Sequence, residues 1–226
     1  MTEVAIYTAI YGGYDRPKPV PIGIDAPTIM YTDDPDIDAP GWEVIVADPP
    51  KSTLWSTMMK HKYWKLHPHR AVPGVDVSLW VDGSMTILHT DYAQRCLDAL
   101  GNDDWSMITH PSRNCIYTEA EYSATLTWRY DASSLLHQAG FYRAIGHPTQ
   151  WGLFATGANA RRHNSVVQAL NEHWWYENMT RTHQDQVSLP VLVRIMGDML
   201  KWNTNMPWHQ WWHLGEHEWT RIYDHR

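Results

Sequence analysis

The chain has 226 residues, of which 43% are hydrophobic and 19% charged, so it can bury one sizeable core and is too apolar for an intrinsically disordered protein. We expect a single domain over 1–226, with a strand-rich half at 1–110 and a more helical half at 111–226. The formal net charge is −7 with neutral histidines, which argues against a nucleic-acid partner because no global basic field attracts a phosphate backbone.

Cysteine content and the N-terminal sequence bear on location. Cys96 and Cys115 are the only cysteines, too few for a disulfide framework or a Cys-rich zinc module, which fits a reducing compartment. Residues 1–3 lack the basic start of a signal peptide, and no window approaches the ~18 apolar residues of a membrane span. The sequence therefore predicts a cytoplasmic protein without a membrane partner.

The aromatic residues are unusual in kind, with 14 Trp and 12 Tyr against 2 Phe. Indole N–H and phenol O–H groups let a ring pack on one face and hydrogen-bond at an edge, so we expect many of these rings at amphipathic surfaces. The 14 histidines make the charge balance depend on pH, because an unperturbed imidazole titrates near ~6.5.

Strands and helices alternate in the first half. Short β-branched or aromatic runs end at Gly, Asp or Pro, which is typical of buried strands followed by turns. One longer segment has apolar residues at helical spacing after Ser52, a suitable N-cap. The predicted strands are 4–10, 28–32, 42–46, 75–81 and 105–109, and the predicted helices are 52–67 and about 91–100.

In the second half we predict helices at 131–139 and 165–179 and a strand at 152–156. An interior proline costs about 3 kcal/mol, so the last helix is predicted to begin near Val187 or Ser188. This places Pro190 in the first turn and Asp185 in the preceding loop. Strands that alternate with helices predict an α/β fold with a mostly parallel sheet and with ligands at the carboxyl ends of its strands.

Asp82 follows a predicted strand, and Gly83 turns the chain directly after it. A carboxylate at a strand end is well placed to hold Mn²⁺ or Mg²⁺ against a diphosphate, because hard cations take oxygen ligands and bridge phosphate oxygens. The alternative is an aspartate that only caps a turn.

Three other polar segments are candidates for binding or catalysis. The loop 11–15 pairs two glycines with tyrosines, so it either approaches a nucleotide or simply ends a strand. Arg113 either takes a phosphate bidentately or forms an ordinary pair with Glu119. Asp185, next to Gln184, is a general base, a group that orients a substrate hydroxyl, or an ordinary complement to a helix dipole.

The C-terminal segment is rich in tryptophan and histidine. Five of the 14 tryptophans lie in the last 25 residues, where their rings either form platforms for sugars and bases or close a core. His209, His213 and His217 are spaced by four, as metal ligands on a helix are, although Gly215 weakens such a helix. A zinc site, a single histidine ligand to a metal bound at Asp82, and aromatic packing are the alternatives.

Taken in order, several segments resemble one known family. They are 4–15 (VAIYTAIYGGYD), 31–36 (YTDDPD), the region of Lys60 and 68–69, 78–84 (SLWVDGS), 110–120 (HPSRNCIYTEA), 152–164 (GLFATGANARRHN) and 183–192 (HQDQVSLPVL). The family is the glycosyltransferase-like domain of plant proteins linked to turgor regulation and seed-mucilage synthesis, which also has hexosyltransferase-like members in bacteria and phages. The resemblance covers residues 4 to about 195.

The resemblance implies a GT-A-like domain that binds a nucleotide sugar with 1–110 and an acceptor with 111–226. Asp82 would ligate a divalent metal, with Ser84 in place of the second carboxylate of an Asp-x-Asp motif and His213 as a further ligand. Asp185 would be the catalytic residue beside the sugar or acceptor. The implied donor-side residues are Thr8, Ala9, Tyr11, Asp33, Lys60, Asp82, Gly83, Ser84 and Arg113, with Arg161 or Arg162 as further positive charge. The acceptor-side residues are Glu119, Gln184, Trp211 and Trp212.

The predicted function is metal-assisted transfer of a hexosyl group from a nucleoside diphosphate sugar, with a UDP-sugar favoured, to an acceptor hydroxyl. The acceptor is a carbohydrate, a small molecule or a modified base, although the charge of −7 disfavours nucleic acid. Two alternatives stay open. One is a noncatalytic carbohydrate- or nucleotide-binding domain, because the second carboxylate is missing, and the other is a His-rich metallohydrolase.

Overall fold

The computed structural model describes residues 2–206, in which strands and helices alternate along the chain. The strands in this range are β1 (Val4–Ile10), β2 (Thr28–Thr32), β3 (Glu43–Val46), β4 (Val77–Val81), β5 (Trp105–Thr109), β6 (Phe154–Arg162) and β7 (Trp202–Asn203). The helices are α1 (Thr57–Leu66), α2 (Pro68–Ala71), α3 (Tyr92–Leu100), α4 (Ile116–Ala124), α5 (Ala132–Ala144), α6 (Ser165–Thr180) and α7 (Asp185–Met196), followed by a short 3-10 helix at Gly197–Met199. Within 2–206, no helix has the length and apolar character needed to cross a bilayer.

The strands form one sheet in the order β3-β2-β1-β4-β6-β5-β7. β3, β2, β1 and β4 run parallel, β6 runs antiparallel to β4 and β5, and β7 is parallel to β5. This confirms the predicted α/β fold with a mostly parallel sheet. The chain places β2 and β3 on one side of β1 and then β4 on the other, so strand order reverses between β1 and β4. Open α/β sheets bind ligands at the carboxyl ends of such a pair.

Side chains of β1 and β4 alternate between two buried faces of the sheet. Ile6 and Leu79 pack in the cluster that contains α3, whereas Tyr7 and Trp80 pack in the cluster that contains α1. The rings of Tyr7 and Trp80 meet edge to face with centroids 5.0 Å apart. Because both faces are covered, these strands are nearly continuous apolar runs, and that is why the sequence locates them correctly.

The main differences between the predicted and the observed elements concern α4, β6 and α1. The sequence does not predict α4, because polar residues interrupt the apolar spacing of Ile116–Ala124. β6 continues to Arg162 instead of ending at 156, because β4 and β5 pair with it on both edges. α1 begins at Thr57, because Ser56 rather than Ser52 caps it by accepting a hydrogen bond from the Met59 N–H at 3.2 Å.

The start of α7 differs from the prediction. The helix begins at Asp185, with Gln184 as its N-cap, so the expectation that Asp185 lies in a loop is wrong. Pro190 lies inside the helix and removes one backbone hydrogen bond. Val187 and Val191 are buried on the same helix, and burial of two valines, at roughly 1.5–3 kcal/mol each, offsets that loss.

Arg161 and Arg162 do not lie where the resemblance suggests. Arg161 is fully buried on β6 and donates to the Lys65 carbonyl at 2.7 Å. Arg162 donates to the backbone carbonyls of Gly101 and Asp103. Arg161 therefore holds the C-terminal end of α1 in place instead of facing a diphosphate.

Gly83 allows β4 to approach β1 directly after Asp82, because a Cβ there would lie 2.6 Å from Cγ1 of buried Ile10. Gly83→Ala should therefore lower the free energy of unfolding by about 1–3 kcal/mol through overpacking. Gly140→Ala is the matched control: a Cβ at Gly140 meets no atom within 4 Å, and alanine in α5 should add up to about 1 kcal/mol. Urea unfolding measures both variants, and a Gly83→Ala protein as stable as the parent would contradict the close approach.

Candidate functional site

A cleft opens at the carboxyl ends of β1 and β4, at the predicted position. It is bordered by the loop 11–15, by one face of α1, by the strand ends of β4 and β6, and by the starts of α4 and α7. Its polar lining residues include Tyr14, Asp15, His61, Lys62, Lys65, Asp82, Ser84, Arg113, Glu119, Arg129, Thr156, Gln184, Asp185 and Gln186. We call the space that these and the apolar lining residues enclose the cleft.

The loop 11–15 depends on its two glycines. Gly12 and Gly13 have φ values of 63° and 61°, the left-handed region that glycine enters without steric cost. Asp33 holds the loop, because its carboxylate oxygens accept the Gly12 N–H at 2.9 and 3.2 Å. The loop thereby carries Tyr14 and Asp15 to the cleft.

A network of two lysines and two aspartates lies at the base of the cleft, with Asp82 as its partly exposed member. Lys62 Nζ and Lys65 Nζ lie 2.6 and 2.9 Å from Asp185 Oδ2, and Lys65 Nζ also lies 3.2 Å from Asp82 Oδ1. Thr156 donates its hydroxyl to Asp185 Oδ2 at 3.1 Å. The side chains of Lys62, Lys65 and Asp185 are 6%, 2% and 5% exposed, so water screens these charges little. We call these four charged residues the Lys–Asp network.

Charge pairing within the Lys–Asp network decides its protonation. Burial alone would raise the pKa of Asp185, but Lys62 and Lys65 outweigh it and hold that pKa far below its usual range. Burial lowers the pKa of Lys62 to about 8, against the opposing effect of Asp185. Burial would also lower the pKa of Lys65, but Asp185 and Asp82 raise it above its usual value. Asp185 and both lysines are therefore charged at neutral pH.

His61 is neutral and has a defined tautomer. Burial lowers its pKa to about 4. Its Nδ1 lies 2.8 Å from the Ala9 carbonyl, and since a carbonyl oxygen only accepts, Nδ1 carries the hydrogen. The lone pair is then on Nε2, which lies 4.0 Å from Asp82 Oδ1.

The groups around Asp82 bear on the predicted metal site. Asp82 Oδ1 already accepts from Trp80 Nε1 at 2.7 Å and from Lys65 at 3.2 Å, and a divalent cation here would meet like-charge repulsion from Lys65. Within 2–206, no three His, Cys, Asp or Glu side chains are grouped so that they can hold a metal. These residues therefore do not fit a metal site by themselves, nor do they support a metallohydrolase. His213 and its neighbours His209 and His217 lie outside the described residues, so the metal stays a prediction.

A second polar cluster contains Glu119 and Gln184, which the sequence predicts to be acceptor-side residues. Arg113 Nε donates to Glu119 Oε2 at 2.5 Å, and Gln184 Nε2 donates to Glu119 Oε1 at 3.0 Å. Ser123 also donates to Glu119 Oε1 at 3.1 Å. Glu119 and Gln184, both predicted from sequence as acceptor-side residues, thus lie in contact with each other. Arg113 forms an ion pair with Glu119, the alternative to phosphate binding that the sequence left open.

Only some of the predicted donor-side residues line the cleft. Ala9, Tyr11, Asp82, Ser84 and Arg113 line the cleft. Gly83 serves packing, Asp33 holds the loop, and Thr8 is buried within β1. Lys60 instead pairs with Asp48 at 2.8 Å and does not line the cleft. Trp211 and Trp212 lie outside the described residues.

Sequence reasoning missed four charged residues of the cleft, namely Asp15, Lys62, Lys65 and Arg129. A signal existed for the lysines, because Met58, His61, Lys62 and Lys65 share one helical face. Lys60 lies two positions from Lys62 and therefore points to another side of α1. Arg129 follows α4 without any pattern that marks it.

Comparison with known proteins identifies a family. A family model described as the TOD1/MUCI70 glycosyltransferase-like domain matches residues 35–210. No curated protein matches this chain. Among solved structures, a crystal structure of mouse xyloside xylosyltransferase 1 in its apo form is similar, with a TM-score of 0.43 and 5% sequence identity, covering 90% of this chain and 84% of that one.

Buried histidines should make the folded protein sensitive to mild acid. Burial lowers six histidine pKa values to about 4, those of His61, His67, His110, His147, His163 and His183. Because histidine titrates near ~6.5 in an unfolded chain, the unfolded state binds more protons between about pH 4 and 6.5, and stability is lost as pH falls through that window. Each histidine adds a slope of up to roughly 1.4 kcal/mol per pH unit.

Urea unfolding at pH 7.5, 6.5 and 5.5 measures this effect, and the midpoint should drop steeply across the series. His147→Gln should make this pH dependence weaker, because about one proton fewer is taken up on unfolding. His137→Gln, at an exposed position, is the control and should leave the pH dependence unchanged. A midpoint that stays constant from pH 7.5 to 5.5 would contradict the burial of these imidazoles.

Proposed function

This chain is a member of the TOD1/MUCI70 glycosyltransferase-like domain family, and we propose that it transfers a glycosyl group from a nucleoside diphosphate sugar to an acceptor hydroxyl. The observation that carries the proposal is the Lys–Asp network in a cleft at the strand-order reversal between β1 and β4. That position suits a nucleotide, and the network brings cations to the place where a diphosphate must leave.

The loop 11–15 and β1 support the nucleotide end of this proposal. The backbone at Gly12 and Gly13 carries no side chain that would block a ligand, and the ring of Tyr14 lines the cleft. The Tyr11 hydroxyl is already used, because it donates to the Ala47 carbonyl and accepts from Trp64 Nε1. Tyr11 therefore lines the cleft with its ring alone. Tyr14 is the more accessible of the two rings for stacking on a base.

Asp185 is proposed to orient a sugar hydroxyl. A general base works best with a pKa near the working pH, whereas the two lysines hold the pKa of Asp185 far below its usual range, against burial, which raises it. An ionised carboxylate fixed by Lys62, Lys65 and Thr156 is a strong and rigid hydrogen-bond acceptor. The low pKa and the fixed position of Asp185 therefore favour a role in orienting a hydroxyl over a role as general base.

Lys65 is proposed to stabilise the leaving diphosphate. Its ammonium group contacts both aspartates of the network and lines the cleft. A preorganised charge at a site where negative charge develops lowers the barrier without reorganisation during the reaction. Divalent-metal assistance at Asp82 is a separate prediction, and this role of Lys65 does not depend on it.

The identities of the donor and of the acceptor are proposed from the sequence. We propose a hexosyl donor, with a UDP-sugar favoured, and an acceptor held beside Glu119 and Gln184. The charge of −7 favours a carbohydrate or small-molecule acceptor over a modified base in DNA.

Asp185→Asn tests the proposed function. It keeps the size of the side chain but removes the charge that holds Lys62 and Lys65, so donor turnover should fall by roughly 100-fold or more. A thermal-shift screen of nucleoside diphosphate sugars, with and without Mn²⁺, selects the donor, and release of nucleoside diphosphate measures turnover. Asp91→Asn is the control, because among residues 2–206 the Asp91 side chain forms only an exposed ion pair with Arg95.

Two outcomes would count against the proposal. Full turnover by Asp185→Asn would remove the role of the Lys–Asp network. Donor binding by the parent protein without turnover, for every donor and with either Mn²⁺ or Mg²⁺, would favour the noncatalytic binding domain.

A further inference from the structure

Arg129 places a guanidinium group in the cleft beside two aromatic rings. Its Cζ lies 5.8 Å from the ring centroid of Tyr14 and 5.2 Å from that of Tyr130. Tyr14 belongs to the loop after β1, whereas Tyr130 is buried two residues before the start of α5. The guanidinium therefore bridges the donor-side loop and the second half of the chain.

The charge of Arg129 is not paired with a carboxylate in the part of the chain that the structure describes. Lys62 pairs with Asp185, Lys65 with Asp185 and Asp82, and Arg113 with Glu119. No ion pair joins Arg129 to any carboxylate within 2–206, and its Nε is buried without a hydrogen-bond partner there. A buried donor without a partner costs about 1–3 kcal/mol, so this guanidinium gains from a ligand that accepts its hydrogen bonds.

We propose that Arg129 binds the diphosphate of the donor, an inference that rests on the proposed function. A guanidinium presents donors in a planar fork that matches two phosphate oxygens. The two rings already restrict the side chain, so little conformational entropy is lost when a phosphate binds. The other cleft cations each share their charge with a carboxylate, which leaves Arg129 as the described cleft cation best able to neutralise an added anion.

The location favours a diphosphate over an anionic acceptor. Asp15, Asp82 and Asp185 all lie close enough to Arg129 to interact with its charge, and these three aspartates surround the carboxyl ends of β1 and β4. The acceptor-side cluster of Glu119 and Gln184 carries its own cation, Arg113. Arg129 is thus on the donor side of the cleft.

Calorimetry on the full chain tests this inference with three probes: the nucleoside diphosphate that the donor screen selects, the matching uncharged nucleoside, and inorganic pyrophosphate. Arg129→Met should weaken binding of the nucleoside diphosphate and of pyrophosphate by about 10- to 100-fold, the range for a charged hydrogen bond. Binding of the nucleoside should change less than about twofold. Arg129→Lys should lose part of the affinity, because it keeps the charge without the planar fork.

Arg95→Met is the matched control, because the Arg95 side chain is 39% exposed and, among residues 2–206, its ion pair is with Asp91 at the start of its own helix. Circular dichroism shows whether each variant is folded, and Arg129→Lys carries the test if Arg129→Met is not. Unchanged affinity of Arg129→Met for the nucleoside diphosphate and for pyrophosphate would overturn the inference. An equal loss of affinity for the nucleoside would also overturn it. So would turnover kinetics in which Arg129→Met raises only the KM of the acceptor. Parent protein that binds pyrophosphate through Arg129 but no nucleoside diphosphate would overturn the proposed function and leave the anion site in place.

Discussion

The buried contact of Lys62 and Lys65 with one oxygen of Asp185 is the constraint on which the site depends. Desolvating a charged group costs several kcal/mol, and removing one partner of such a pair leaves an uncompensated buried charge. Asp82 and Thr156 complete the arrangement, since each contacts Lys65. Four elements, α1, α7 and the ends of β4 and β6, must therefore keep fixed relative positions, and the cleft has a preorganised shape before any ligand binds.

Buried residues beneath the cleft hold the Lys–Asp network in position. Arg161 and the Tyr7 hydroxyl both donate to the Lys65 carbonyl, at 2.7 and 3.2 Å, so they hold the backbone of α1 at the lysine that enters the network. Gly83 permits β1 and β4 to lie close together beside Asp82. The residues that hold the network are core residues, and their role is to set the geometry of the charges that face the cleft.

The sequence predicts the sheet well and the cleft in part, for physical reasons. β1 and β4 are buried on both faces, so their apolar runs are visible locally, and Asp82 is recognisable as a carboxylate at a strand end. The charged partners are not visible in this way, because the pairing of Lys65 with Asp185 joins residues far apart in the chain. The same tertiary pairing explains why α7 begins at Asp185 despite Pro190. Local propensity decides a helix start only when no buried contact overrides it.

A crystal structure with the nucleoside diphosphate selected by the donor screen tests the central claim most directly. The account predicts that the diphosphate lies at the carboxyl ends of β1 and β4, with phosphate oxygens within hydrogen-bond distance of Lys65 Nζ or the Arg129 guanidinium and with Asp185 still held by Lys62. A nucleotide bound elsewhere on the chain, with the cleft free of it, would contradict the account.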